Sequence, residues 1–145
     1  MNLLTIRKIP EPLYSQVLDL ALKIANASEA EDSLSHHIAF LELQRLYEER
    51  VVAGLVEPFL TETLADFTTD DQQAIKLYEL AIRQSVAFEG EPVHTKRIAL
   101  ALRYMDTGEP NVARDLLIQA RDEANNFGDT DSVKDVDELL AEIVE

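Results

Sequence analysis

Apolar residues recur every three or four positions along most of the chain. Short polar or Gly/Pro breaks separate the runs, which predicts helices and no sheet. Pro10 and Pro12 open the first helix, where Leu13, Val17, Leu20, Ala21 and Ile24 make one apolar face to about Ala27. A polar break over 29–33 follows, with Asp32 or Ser33 as N-cap of a second helix. That helix carries Leu34, Ile38, Leu41, Leu43, Leu46 and Tyr47 and ends before Gly54. Pro58 starts a third, with Phe59, Leu60, Leu64 and Phe67 turned inward. After a break over 68–71, Asp70 and Gln73 have the spacing of a capping box. The fourth helix then sets Ala74, Leu77, Tyr78, Ala81, Ile82 and Val86 on one side, and Gly90 and Pro92 break the chain behind it.

The stretch from Val93 to Phe127 organises the rest. Val93, Ile98, Ala99, Leu100, Ala101, Leu102, Tyr104 and Met105 predict a helix buried on most sides. Gly108 stops it and Pro110 suits the first turn of the next helix. That next helix spaces Val112, Ala113, Leu116, Leu117, Ala120 and Ala124 three or four apart. Gly128 and Asp129 serve as stop and cap. A last helix, from Asp131 to about Val144, has Val133, Val136, Leu139, Leu140 and Ile143 on one face. The count is seven helices: three antiparallel hairpins and a C-terminal capping helix in one domain. Met1 to Ile9 reads either as an extended tail or as a strand-like segment packed on the helices.

The central hairpin resembles a tetratricopeptide repeat. Leu100, Ala101, Tyr104, Gly108, Ala113, Leu117 and Ala120 fill that family's large–small–Tyr, turn-Gly and small–large–small places. Arg97 stands where the family often has an aromatic, and Asn125 where Pro often closes the repeat. Ala74, Tyr78 and Ala81 repeat the small–large–small pattern one hairpin earlier. The resemblance implies an all-α, TPR-like array. Its first helices would line a groove for a peptide or protein segment, and register places Thr95, Ile98, Leu102, Met105 and Asp106 there. A terminal helix with one polar side is what caps such an array.

Charge narrows the partner. There are 28 acidic and 13 basic residues, a net charge of −15, which disfavours binding to nucleic acid or to an anionic membrane surface. A basic protein would be steered toward it. Asp129, Asp131, Asp135, Asp137, Glu138 and Glu142 form a candidate acidic face on the last helix. With no Cys, no apolar leader and no membrane-length run, the expectation is a cytoplasmic protein.

Catalytic and metal patterns fail on spacing. The histidines are His36, His37 and His94, and the adjacent pair lacks the Glu-x-x-His pairing of a di-iron bundle, because Ser33 and Leu34 stand three residues before it. Asp129, Asp131 and Asp135 start like a calcium loop, but Lys134 and Leu140 occupy the places that need Gly and Glu. No Gly-rich phosphate loop or nucleophile elbow occurs. The expectation is therefore a non-enzymatic binding module with no cofactor and no metal, monomeric or homodimeric. Small size, strong acidity and a helical body look like a bacterial immunity protein that covers a basic toxin domain. The alternatives are a chaperone or adaptor for a secretion or pilus component, a self-pairing scaffold, and, from a different class, a helical-bundle metalloenzyme.

Overall fold

The predicted runs become seven α-helices in a computed structural model that describes residues 11–55 and 57–143. The helices are α1 (Glu11–Glu29), α2 (Ser33–Val52), α3 (Pro58–Phe67), α4 (Asp71–Ser85), α5 (His94–Asp106), α6 (Pro110–Phe127) and α7 (Thr130–Glu142). No strand occurs among the described residues, so the chain is all-α there. The segment Met1 to Ile9 lies outside them.

Local chemistry sets the helix ends. Three Asp side chains cap helices by accepting from a backbone N–H three residues on: Asp32 from Ser35 at 3.0 Å, Asp70 from Gln73 at 2.9 Å and Asp129 from Ser132 at 3.0 Å. Pro58 and Pro110 open α3 and α6, where a missing N–H costs nothing. Gly128 closes α6 at φ 83°, a left-handed conformation in which a side chain would be strained.

Each helix packs chiefly on its neighbours in the chain, and α3 also touches both α1 and α2. The apolar interior falls into three clusters, each built by three consecutive stretches. Leu13, Val17, Leu20 and Ile24 of α1 meet Leu43 and Leu46 of α2 and Leu60 and Leu64 of α3. Ala65 of α3, Ala74, Ile75 and Tyr78 of α4 and Leu100 of α5 form the second. Ala101 of α5, Ala113, Leu117 and Ala120 of α6, Val136 of α7 and Ile143 form the third. The shared elements α3 and α5 each present one side to one cluster and another side to the next. The small residues Ala101, Ala113 and Ala120, all fully buried, let α5 and α6 approach closely.

Some expected inward positions point out. Leu34, Ile38 and Leu41 lie on the exposed side of α2, and Ala39, Leu43 and Leu46 take the core side. The reason is that α2 is apolar on two opposite sides, so spacing alone does not choose between them. Val86 is 88% exposed because α4 ends at Ser85. Leu102 is exposed as well, so α5 is less enclosed than its composition predicts, and Val112 in the first turn of α6 is also exposed.

Candidate partner-binding faces

Four cationic or ionisable side chains of α5 each reach a carboxylate on a different element. Lys96 is completely buried, and its ammonium has three acceptors: Pro92 O at 2.7 Å, Glu91 Oε2 at 2.8 Å and Glu62 Oε1 of α3 at 3.3 Å. Three acceptors match its three protons, which is what makes a buried ammonium tolerable. Arg97 forks onto both oxygens of Glu123 in α6, at 2.8 and 3.1 Å. The residue that departs from the repeat pattern thus clasps α5 to α6. Arg103 donates to Asp71 at 3.0 Å and to the carbonyls of Ala65 and Thr68, closing the end of α3. His94, at the start of α5, lies 2.8 Å from Asp129 and against the Phe127 ring.

These pairings shift the titration of their members. Burial raises the Glu62 carboxyl above its ordinary range, with Lys96 pulling the other way. Hydrogen bonds from the Ser132 hydroxyl, then from His94 and the Ser132 N–H, hold Asp129 down at about 2. Burial and the bond to Asp66 raise the Tyr78 hydroxyl.

The expected groove residues divide. Thr95 is half-buried and donates to Glu62 at 3.1 Å. Ile98 and Met105 are half-buried against the α5–α6–α7 cluster. Leu102 and Asp106 remain exposed on α5. On α1, Tyr14, Leu18 and Leu22 form an exposed apolar line, with Tyr14 stacked on Phe59 of α3 at 5.1 Å between ring centres.

The acidic face divides too. Asp129 is not a free surface charge, since His94 and Ser132 engage its carboxylate. Asp137 pairs with Arg121 of α6 at 2.7 Å. Asp131, Asp135, Glu138 and Glu142 are exposed, have no partner among the described residues, and share one side of α7 at helical spacing.

The sequence reading missed the α5 hub. Its one visible signal is Lys96, four residues before Leu100 and thus on the same side as that buried apolar residue. The partners Glu62, Asp71, Glu123 and Asp129 are distant in sequence and leave no local mark. Among the described residues, no group of three or more His, Asp or Glu side chains is placed to hold a metal ion, and no helix is long and apolar enough to cross a membrane. No family model, curated protein or solved structure matches this chain.

Proposed function

We propose that this chain is a non-enzymatic, cytoplasmic binding module with a TPR-like helical array, and that it acts as an immunity protein by covering a basic toxin domain with its acidic surface. The observation that carries the reading is the sorting of charge. Lys96, Arg97 and Arg103 are spent on internal contacts, while Asp131, Asp135, Glu138 and Glu142 stay unpaired in one line. An unpaired anionic line raises encounter rates with a cationic partner and sets its orientation. The succession of helices on their chain neighbours supports the repeat-like reading.

The test is co-expression with basic toxin domains encoded beside this chain, followed by binding kinetics. Asp135→Asn/Glu138→Gln/Glu142→Gln should slow association at low salt by about tenfold or more. Asp137→Asn should leave it unchanged, because Asp137 already faces Arg121. Association that ignores both the triple variant and salt overturns the acidic-face reading.

The exposed line of Tyr14, Leu18 and Leu22 favours a second reading, an adaptor that holds an apolar segment of a secretion or pilus component. Binding would then resist salt and be lost in Leu18→Ser/Leu22→Ser.

A further inference from the structure

A cleft separates α2 from α4. The helix α2 packs on α1 and lightly on α3, and α4 packs on α3 and α5, so a space of about 410 Å³ remains between them over α3. Small-molecule sites span about 300–1,000 Å³. Leu64 of α3 forms a buried floor, and Phe40 and Tyr47 of α2 and Leu77 of α4 are half-buried around it. The segment beside the floor is fixed by the fold itself. Arg103 holds the carbonyls of Ala65 and Thr68, and the Asp70 carboxylate accepts from the Gln73 N–H at the start of α4. A site fixed in this way loses little freedom when it is filled.

The charges at the rim are not spent in this manner. Glu48 on the α2 wall and Lys76 on the α4 wall are both exposed, and neither has an ion-pair or hydrogen-bond partner among the described residues. They are opposite in sign and line one cleft, yet they stand too far apart to pair with each other. Lys96, Arg97 and Arg103, by contrast, all meet carboxylates.

We propose that this cleft binds a small zwitterion with a large apolar side chain, the class of free amino acids to which leucine and phenylalanine belong. The ligand side chain lies over Leu64 between Phe40, Tyr47 and Leu77, where contact removes apolar surface from water. The ligand ammonium meets Glu48 and the ligand carboxylate meets Lys76, so one head group bridges the two walls through charge-assisted hydrogen bonds. Charge selects this class. A ligand with only an anion would be repelled by Glu48, by Asp70 and by a chain of net charge −15. A ligand with only a cation would face Lys76, and an uncharged one would leave both rim charges unmatched.

The test is a nuclear magnetic resonance titration of the full chain with L-phenylalanine and L-leucine from micromolar to millimolar concentration. Both should bind saturably and shift the methyl resonances of Leu64 and Leu77. Phenethylamine, which lacks the carboxylate, and hydrocinnamate, which lacks the ammonium, should each bind about tenfold or more weakly than phenylalanine. Lys76→Met should erase the advantage over phenethylamine, and Glu48→Gln the advantage over hydrocinnamate. Both side chains are exposed, so the two variants should keep the wild-type circular dichroism. Absence of saturable binding by either amino acid overturns the proposal, and so does an advantage that survives both variants. Equal affinity for phenethylamine also overturns it, by making the cleft a seat for a cationic side chain of a protein partner.

Discussion

His94 Nε2 lies 2.8 Å from Asp129 Oδ2, so the first residue of α5 is tied to the residue that caps α7. Asp129 also accepts from the Ser132 N–H at 3.0 Å and from the Ser132 hydroxyl. One carboxylate thus joins the start of α5 to the start of α7. The Ser132 bonds and His94 hold it at about 2 in the folded protein, against 3.8 when free. A lowered carboxyl stabilises the fold above its unfolded value, and that stability is lost as pH falls toward the folded one. Stability should therefore drop with acidification between about pH 4 and about pH 2. Asp129→Asn should be less stable at neutral pH and should lose less across that window. Urea denaturation at a series of pH values measures both; equal slopes for wild type and variant would refute the role.

Lys96→Met should destabilise the fold by about 3 kcal/mol at neutral pH, because it leaves Glu62 and Glu91 facing a partner that is gone. The loss should shrink as pH falls. Burial already raises the Glu62 carboxyl, so its protonated form favours the folded state; that contribution is full at low pH and disappears as pH rises through the raised value. Chemical denaturation at neutral pH and at about pH 5 separates the two conditions. A variant as stable as wild type at neutral pH would show that the three acceptors of Lys96 contribute nothing net.

Leu102 and Leu117 are both leucines of the central hairpin, yet their truncations should differ widely. Leu117 is fully buried between α5, α6 and α7, and Leu117→Ala should cost about 3 kcal/mol. Leu102 is 41% exposed, and Leu102→Ala should cost less than about 1 kcal/mol. Thermal or urea unfolding of the pair gives the comparison directly.

The acidic line on α7 should itself reduce stability. Asp131 and Asp135, and Glu138 and Glu142, are like charges four residues apart, and Glu138 and Glu142 sit at the helix end that disfavours anions. Neutralising Asp135, Glu138 and Glu142 should therefore stabilise the isolated chain by up to about 1 kcal/mol. The same change should slow association with a basic partner. Stability rising while binding weakens is the signature of a surface kept for function; an unchanged or lower melting temperature would remove that argument.

The local part of this structure was written in the residues. The Asp32, Asp70 and Asp129 caps, the Pro58 and Pro110 starts and the left-handed stop at Gly128 each depend on groups a few residues apart. Helix number and bounds follow from such contacts with little help from elsewhere. The buried line Ala113, Leu117, Ala120 and Ala124 of α6 was equally legible, because only one side of that helix is strongly apolar.

The tertiary structure decided what spacing left open. The helix α2 has two apolar sides, and only packing against α1 and α3 assigned Leu43 and Leu46 to the core and Leu34, Ile38 and Leu41 to the surface. Charge behaved the same way. By composition Asp129, Asp137 and Glu138 are equivalent acids, but His94 and Arg121 reach the first two from other helices and leave the third alone. Lys96 is one of 13 basic residues in the sequence, and only the packing brings Glu62 and Glu91 to its ammonium. Capping and periodicity act within a turn or two of helix and are therefore carried by the sequence. Ion pairing and burial join residues remote in the chain, so they exist only once the helices have packed.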